Sequence, residues 1–307
     1  MDNNLSTKLN TVESNISVMK TNWGLSEADS IETLTEVAQK YAPITPVSIS
    51  FKNSKATEQK GIYNLDVSEF TSLKDFFARC SNLLELNLEG WNTSKVTTME
   101  TMFTNCSSLT KLNLKGFDTS NVTTFYQTFY ECKVLTDLNI ESFNTSNATN
   151  MNYMFAGCRA IEELDLKHFN TETVTTMQAM FSWGNKLTKL NLSSFNTSNV
   201  TNMQIMFQYC SVITDLDLSS FNTEKVTNMS YMFHGCTSLR KLDIRNFDFT
   251  KVTSMGNFLG STSDSSSKVP SDCLIIVKDD TAKSWVLARR SDLTNVKTVA
   301  EYEATQQ

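Results

Sequence analysis

The sequence of 307 residues contains only two histidines, His168 and His234. This scarcity argues against a histidine-rich metal site and against a Ser-His-Asp catalytic set. The sequence also lacks a glycine-rich loop that could hold phosphate and lacks a carboxylate pair that stands apart from its regular charge pattern. An enzyme is therefore the weakest functional class for this chain, and we expect no metal and no cofactor.

Positive charge is also scarce. The chain has 27 Lys and Arg against 33 Asp and Glu, a net charge of −6, so we expect no nucleic-acid partner and no polybasic lipid anchor. No stretch approaches the roughly 18 apolar residues that span a membrane, which predicts no membrane insertion. Residues 1–20 lack the basic start and apolar centre of a secretory signal, which predicts that none is present; a longer precursor is the alternative.

What the sequence does contain is a repeat with a period of 26 residues. A phenylalanine, a cysteine and a further aromatic residue each recur with this step. The phenylalanines are Phe77, Phe103, Phe129, Phe155, Phe181, Phe207 and Phe233. The cysteines are Cys80, Cys106, Cys132, Cys158, Cys210 and Cys236, with Gly184 at the missing position. A fixed period of this length is typical of a solenoid, in which each unit packs on the previous one.

Each unit combines three kinds of local pattern. Alternating leucines in residues 109–114 predict a short strand, and the polar residues of 117–122 predict a turn. In residues 200–210 the apolar side chains fall on one face of a short helix, which Thr197 or Ser198 would cap. The residues on that face are Val200, Met203, Phe207 and Cys210. The sequence therefore predicts an α/β solenoid with a parallel sheet on one side and short helices on the other.

The repeat also suggests how the chain is divided. We expect N-terminal helices in residues 1–42, a connector and N-terminal cap in 43–79, seven repeats in 80–261 and a C-terminal cap in 262–307. The N-terminal cap keeps part of the apolar register of the repeat. Its apolar residues are Ile62, Leu65, Phe70, Leu73 and Phe77. In the C-terminal cap we expect a strand over 273–277, a helix over 279–290 and a strand over 295–299.

The N-terminal segment has apolar residues spaced alternately by four and three positions. They are Leu5, Leu9, Val12, Ile16, Met19 and Trp23. This spacing is typical of a coiled-coil seam of nearly three heptads. We expect a self-associating helix that makes a homo-oligomer, for example a trimer. An amphipathic helix packed on its own chain is the alternative.

The repeat units resemble leucine-rich repeats. Leu109, Leu112 and Leu114 match the opening of that family's pattern, although Phe117 stands where Asn or Cys is usual. The fuller pattern, F-N-T-S-x-V-T-x-M-x-x-M-F-x-x-C, is similar to the BspA-like branch of bacterial surface leucine-rich-repeat proteins over about residues 60–300. The resemblance implies a right-handed solenoid that binds host or matrix surfaces, implies no enzymatic activity and names no ligand.

The cysteines lie on the apolar stripe of each unit, which favours buried free thiols over a metal site or disulfides. The strand positions that face outward alternate in charge along the repeat. One such column is Glu85, Lys111, Asp137, Glu163, Lys189, Asp215 and Lys241. We expect these columns to fix the register of neighbouring strands. A polar binding face, or calcium between Asp217 and Asp243, is the alternative.

Aromatic side chains collect at positions of the expected helical side that vary between units. They are Tyr126, Tyr130, Tyr153, Trp183, Tyr209 and Tyr231. Because rings offer stacking area and a hydroxyl group at low entropic cost, they predict a binding surface for a sugar or a protein. Some of them could instead fill the core, and Trp183 could fill the space beside Gly184.

These observations favour a non-enzymatic recognition protein. The first expectation is a bacteriophage virion protein in a fibre, baseplate or appendage. It would bind a glycan or protein of the host surface and contact other virion proteins. A bacterial cell-surface adhesin is the second expectation, and a purely structural virion component is the third.

Overall fold

The computed structural model describes residues 67–264 and 266–306. The predicted helices of residues 1–42, with the seam residues Leu5, Leu9, Val12, Ile16 and Met19, lie outside this part of the chain. Nine strands and two helices occur in the described residues. They are β1 Glu85–Asn87, β2 Lys111–Asn113, β3 Asp137–Asn139, β4 Glu163–Asp165, β5 Lys189–Asn191, β6 Asp215–Asp217, β7 Lys241–Ile244, β8 Leu274–Val277, α1 Asp280–Leu287, β9 Val296–Thr298 and α2 Val299–Ala304. None of the described helices is long and apolar enough to cross a bilayer.

The strands of the repeat stack in parallel, as the period predicts. They form three hydrogen-bonded sheets in the order β1-β2-β3, β4-β5 and β6-β7-β8-β9. Equivalent positions face each other, so that Leu86 pairs with Leu112 and Leu112 with Leu138. A second line of parallel bridges joins residues 72 to 254 through every coil, where a coil is one 26-residue turn of the chain. The chain is thus a repeat solenoid.

The side opposite the strands consists of turns, and the prediction of short helices there is wrong. In residues 200–210 the N–H groups of Ile205 and Phe207 donate to carbonyls of the next coil at 2.9 and 3.0 Å. Those of Met206 and Cys210 donate to carbonyls three residues earlier. An α-helix needs each N–H to reach the carbonyl four residues earlier. Donors that alternate between the next coil and their own coil therefore exclude it.

Left-handed backbone conformations also separate these turns from a helix. Positive φ recurs at two positions of each coil, four residues apart. The first position holds Asp75, Thr101, Gln127, Tyr153, Ala179, Ile205, Tyr231 and Asn257. The second holds Arg79, Asn105, Glu131, Gly157, Trp183, Tyr209 and Gly235. A residue other than glycine pays about 1–2 kcal/mol for this conformation, which the contacts between coils must offset.

This cost can be measured at a buried alanine. Ala179 has φ of +57° and is fully buried. Ala148 is equally buried and lies outside the positive-φ positions. Both Ala→Gly changes remove one buried methyl group, but only Ala179→Gly removes the cost of a left-handed alanine. We expect Ala179→Gly to leave the protein more stable than Ala148→Gly by about 1–2 kcal/mol in chemical denaturation. Equal losses would show that the turns carry no such strain.

Stacked phenylalanines form the centre of the solenoid. Rings from Phe77 to Phe233 follow one another at centroid distances of 5.4–5.9 Å, with planes within 13° of parallel. A second stack runs from Phe169 to Phe247 at 6.2–6.4 Å. All these rings are buried. Because one coil cannot cover its own ring, the apolar surface is buried only where coils stack.

A column of buried threonines joins the coils beside the core. They are Thr93, Thr119, Thr145, Thr171, Thr197 and Thr223, each at most 2% exposed. Every hydroxyl donates to a carbonyl of the next coil at 2.7–3.0 Å. The proposal that Thr197 or Ser198 caps a helix is therefore wrong. Thr197 ties two coils together, and the N–H of Ser198 donates to Asn196 Oδ1 in a local turn.

The C-terminal cap contains the predicted strand, helix and strand as β8, α1 and β9. Helix α2 was not predicted. α1 begins at Asp279, whose side chain accepts the N–H of Ala282 at 3.0 Å, and α2 begins with a capping box between Thr298 and Glu301. Ile62 and Leu65 of the predicted N-terminal cap lie outside the described residues, whereas Phe70, Leu73 and Phe77 are buried.

Candidate recognition surface

All six aromatic residues predicted to bind a partner lie on the turn side of the solenoid. Trp183 and Tyr231 are 38% and 37% exposed. The other four are Tyr126, Tyr130, Tyr153 and Tyr209, and all are partly exposed. These rings, with His234, are called the aromatic ridge. Their placement brings them together in two groups.

The first group consists of three tyrosines. The ring of Tyr153 meets the rings of Tyr126 and Tyr130 edge to face, with centroids 6.3 and 6.0 Å apart. Its hydroxyl accepts a hydrogen bond from Gln178 Nε2 at 3.0 Å. Partial burial raises the pKa of Tyr130 and of Tyr153. Both hydroxyls therefore stay protonated at neutral pH and can donate to a ligand.

The second group is a continuous stack. The rings of Trp183 and Tyr209 lie 4.1 Å apart, and the guanidinium of Arg159 lies 5.1 Å from the centre of the indole. His234 then meets Tyr209 and Tyr231, with both centroid distances 5.3 Å. Burial lowers the pKa of His234, so its ring is neutral at pH 7. The stack presents ring edges, a hydroxyl group and one cation to solvent.

Trp183 does not fill the space beside Gly184, which corrects the alternative raised by the sequence. Its ring is exposed, while the backbone at Gly184 is already closely packed. A Cβ at Gly184 would lie 3.2 Å from the carbonyl oxygen of Phe181 and 3.4 Å from Cys210 Sγ. Trp183 is thus a surface residue, which leaves it free to contact a partner.

Two glycines and an ion pair hold side chains of the aromatic ridge in place, and they are not among the residues predicted from the sequence. A Cβ at Gly157 would lie 2.5 Å from Glu131 Oε1, and one at Gly235 would collide with the ring of Tyr209. Glu131 also lies 3.5 Å from Arg159 Nη2. The glycines therefore let the Glu131 and Tyr209 side chains lie flat on the following coil. The available signal was glycine recurring at the second positive-φ position.

Four ridge residues adopt the left-handed backbone conformation. Tyr153, Tyr209 and Tyr231 have φ of +59°, and Trp183 has φ of +62°. This conformation is uncommon for bulky residues and favours glycine or asparagine. Other coils place various residues at these two positions, among them Thr101, Glu131 and Ile205 as well as asparagine and glycine. The left-handed conformation therefore belongs to every coil, and the rings that stand at these positions are what distinguishes this surface.

Charged side chains on the outward face of the strands pair with one another between coils, as the charge columns predict. Lys115 Nζ lies 3.1 Å from Glu89, and Lys189 Nζ bonds Glu163 on the adjacent strand. Side-chain amides of the neighbouring column bond in the same way, for example Asn191 to Asp165 at 3.0 Å. Exposed pairs of this kind add little stability, but they oppose a shift in strand register.

The alternative that calcium binds between Asp217 and Asp243 is wrong. Asp243 is 3% exposed, and the guanidinium of Arg245 binds both of its carboxylate oxygens, with the nearest distance 2.6 Å. A cation would have to displace an arginine from a buried carboxylate. Within residues 67–264 and 266–306, no group of three or more His, Cys, Asp or Glu residues could hold a metal ion.

The predicted burial of the cysteine column is confirmed. Cys106, Cys132, Cys158, Cys210 and Cys236 are at most 3% exposed. Each of these thiols donates to a carbonyl oxygen of the preceding coil at 3.1–3.2 Å. Burial raises the pKa of Cys132 and Cys210 to about 12. At neutral pH these thiols are protonated and shielded, so they build the core rather than perform chemistry.

The thiols make stability depend on alkaline pH. An unfolded cysteine has a pKa of about 8.5, whereas the folded value for Cys132 and Cys210 is about 12. The neutral form is favoured in the fold, so this contribution is complete below pH 8.5 and is lost as pH rises toward 12. We expect denaturation midpoints to fall from pH 8.5 upward and to fall less steeply in Cys132→Ala and Cys210→Ala. Parallel slopes in wild type and variants would contradict this.

Comparison with known proteins gives one family and a distant structural likeness. A family model, "Mycoplasma protein of unknown function, DUF285", matches residues 45–164 and 156–271. No curated protein matches the chain. Among solved structures, the functional domain of InlJ from Listeria monocytogenes, described as including a cysteine ladder, is 18% identical with a TM-score of 0.21. The match covers 74% of this chain and 52% of that one, so the chain spans about half the length of that relative.

Proposed function

We propose that this chain, which belongs to the DUF285 family of Mycoplasma proteins of unknown function, is a non-enzymatic recognition protein that binds its partner through the aromatic ridge. The observation that carries this proposal is the cluster of partly exposed rings in contact with one another on the turn side of the solenoid. Binding explains these rings better than folding does, because Trp183 and Tyr231 are more than one third exposed and contribute little to the core.

The chemistry of the ridge suits a glycan or a protein on a host surface. Tyrosine and tryptophan supply large contact areas with few rotatable bonds, and arginine joins them at the centres of many interfaces. The Trp183 indole carries Arg159 on its ring, and the Tyr209 hydroxyl lies 3.3 Å from His234 Nε2. Apolar edges beside hydrogen-bonding groups provide both affinity and orientation.

Attachment of labelled protein to host cells tests the proposal. The change of Tyr153, Trp183 and Tyr209 to alanine together should weaken attachment at least about tenfold, because interface rings commonly carry 2 kcal/mol or more each. The matched control changes Lys111, Lys115 and Lys189 on the strand face to alanine together. This control variant should attach like wild type. If the ridge variant keeps the melting temperature and the attachment of wild type, the ridge is not the binding surface.

Two settings are proposed for this recognition role. One is a bacteriophage virion, in which the protein would be part of a fibre, baseplate or appendage. A purely structural component of the virion is a further version of this setting. The other is the bacterial cell surface, which the word Mycoplasma in the family description supports. Antibody labelling of purified particles and of intact cells separates them. Labelling of neither would contradict both. The right-handed winding expected from the BspA-like resemblance stays a prediction.

A homo-oligomer, for example a trimer, is proposed for the N-terminal segment. Its support is the heptad spacing of Leu5, Leu9, Val12, Ile16 and Met19. Light scattering of the full chain should show an oligomer, and Ile16→Asp should reduce it to a monomer. An unchanged mass would remove the proposal.

A further inference from the structure

The turn side of the solenoid is held together by a ladder of backbone hydrogen bonds. In each coil, the N–H groups of alternate residues donate to carbonyls of the following coil. Near the C-terminal end, Met229, Tyr231 and Phe233 donate in this way at 2.8, 2.8 and 2.9 Å. The acceptors are also alternate residues, so each coil offers the previous one a row of evenly spaced carbonyl oxygens.

The last coil has the same donors without the acceptors. Within the described part of the chain, the N–H groups of Met255, Asn257 and Leu259 have no hydrogen-bond acceptor. The N–H groups of Phe258 and Gly260 bond back within the coil at 3.2 and 2.9 Å. Leu259 is 2% exposed, and buried N–H groups without a partner are rare in native proteins. The ladder therefore ends in a row of three open donors.

The C-terminal cap leaves a groove in front of this row. The groove has a volume of about 390 Å³ and is lined by Met255, Gly256, Asn257 and Leu259 of the last coil and by Trp285 and Arg289 of the cap. This volume is within the range of about 300–1,000 Å³ that is usual for ligand sites. The cap does supply one acceptor to the coil before the last, because the N–H of Gly235 donates to the carbonyl of Ser267.

A cation lies at the rim of the groove. The guanidinium of Arg289 lies 3.9 Å from the centre of the Trp285 ring. Its Nη1 donates to the carbonyl of Trp285 at 3.0 Å, and its Nε approaches Met255 Sδ at 2.7 Å. These contacts hold the positive charge beside the open donors and leave it unpaired by any described carboxylate. An acidic side chain on an occupant would complement it.

We propose that this groove docks a segment of a partner polypeptide, which acts as an additional coil. Its carbonyl oxygens at alternate residues would accept from Met255, Asn257 and Leu259, and an acidic side chain would meet Arg289. Two observations support a polypeptide: the groove continues the interface between coils, and its donors repeat the spacing that the preceding coils fill with carbonyls. This proposal does not rest on the function assigned to the aromatic ridge.

The full-length protein can be titrated with a peptide that imitates a coil. The probe is a labelled, end-blocked peptide with the sequence of residues 227–235 followed by glutamate, and a second probe ends in lysine instead. We expect saturable binding of the glutamate peptide and at least about fivefold weaker binding of the lysine peptide, a difference of about 1 kcal/mol. Absence of saturable binding for both peptides overturns the proposal.

Blocking variants and amide exchange separate peptide pairing from other binding. A Cβ at Gly256 would meet nothing within 4 Å, so Gly256→Trp should fold, fill the groove and weaken binding at least about tenfold. Gly256→Ala is the control and should bind like wild type. In amide exchange the peptide should protect Met255, Asn257 and Leu259 and leave Phe258 and Gly260 unchanged. Equal protection by acetate or phosphate alone would identify an anion site and overturn the peptide proposal, as would unweakened binding to Gly256→Trp.

Discussion

Replacing Phe155 with alanine is expected to lower the free energy of unfolding by about 3–5 kcal/mol. Phe155 is 2% exposed and lies near the middle of the stack, 5.4 Å from the ring of Phe129 and 5.9 Å from that of Phe181. Its removal leaves a cavity between two neighbours that cannot close without shifting whole coils. Because each coil is stabilised mainly by the coils beside it, the loss affects both interfaces.

Chemical denaturation followed by circular dichroism measures this effect. Tyr153→Ala is the matched control, since Tyr153 lies two residues away on the same turn but is partly exposed. We expect the control to lose much less stability, because the Tyr153 ring contacts Tyr126 and Tyr130 at the surface and not the phenylalanine stack. A loss below about 1 kcal/mol for Phe155→Ala would show that the stacked rings are not the main source of stability.

The second large effect is expected at Arg290, the largest fully buried polar side chain in the described residues. Arg290 is 1% exposed, and its guanidinium donates to the carbonyls of Leu259 and Val269 and to the carboxylate of Asp292. Arg290→Ala takes from the Val269 carbonyl its donor, and it leaves the Leu259 carbonyl with the Val269 N–H and the Asp292 carboxylate with Lys268. Loss of hydrogen bonds to a buried charged group costs about 1.5–3 kcal/mol each, and the loss should fall on the junction between the last coil and the cap.

Amide exchange resolved along the chain is the appropriate measurement for Arg290→Ala. Exchange should increase for residues 259–306 much more than for the central coils. Lys278→Ala is the stability control, because Lys278 is an exposed cation of the cap and its loss should leave exchange of the cap nearly unchanged. An equal increase over all coils would mean that the cap and the repeats unfold as one unit.

The pH dependence of the junction follows from the same ion pair. The hydrogen bond from Arg290, helped by Lys268, holds the pKa of the Asp292 carboxyl well below its usual range. A depressed folded pKa means that the contribution is complete above the unfolded value of about 3.9 and is lost as pH falls through the folded value. Acid should therefore loosen the cap in wild type, and this part of the acid response should be smaller in Arg290→Ala, where Lys268 alone remains beside the carboxyl.

The strands could be predicted from the sequence because the evidence for them repeats in every unit. Leu112 and Leu114 alternate with Lys111 and Asn113, and the same alternation recurs with a constant step. Strand pairing then follows, since equivalent positions must meet when identical units stack. The charge columns gave independent support, and Lys115 with Glu89 shows the expected pairing across strands.

The sequence predicts helices where the chain forms turns, because an apolar spacing of three and four residues does not identify a helix by itself. Val200, Met203, Phe207 and Cys210 do share a buried face. Their backbone reaches that face through successive turns with left-handed residues, which hydrophobic periodicity does not report. Glycine and asparagine at equivalent positions, such as Gly157 and Asn257, were the local signal for positive φ.

The candidate surface could be predicted only in part. Variation between units drew attention to Trp183 and Tyr209, since scaffold positions repeat and these do not. The roles of Arg159 and Glu131 depend on neighbours one coil away, 24 to 28 residues distant in sequence. The open donors at the end of the ladder have no sequence signal at all, because they are defined by the acceptors that follow in space.

The threonine hydroxyls that donate from coil to coil have a consequence for how such a molecule can change in length. Every internal coil accepts these hydrogen bonds from the coil before it and donates the same bonds to the coil after it. Only a whole unit can therefore be inserted or deleted without breaking the series. Gain of a unit would extend the reach of the molecule by about 4.8 Å, the spacing of adjacent strands, while both ends keep their present partners. In-frame duplication of gene segments that encode one coil is therefore a route by which descendants could vary their span without inventing a new interface.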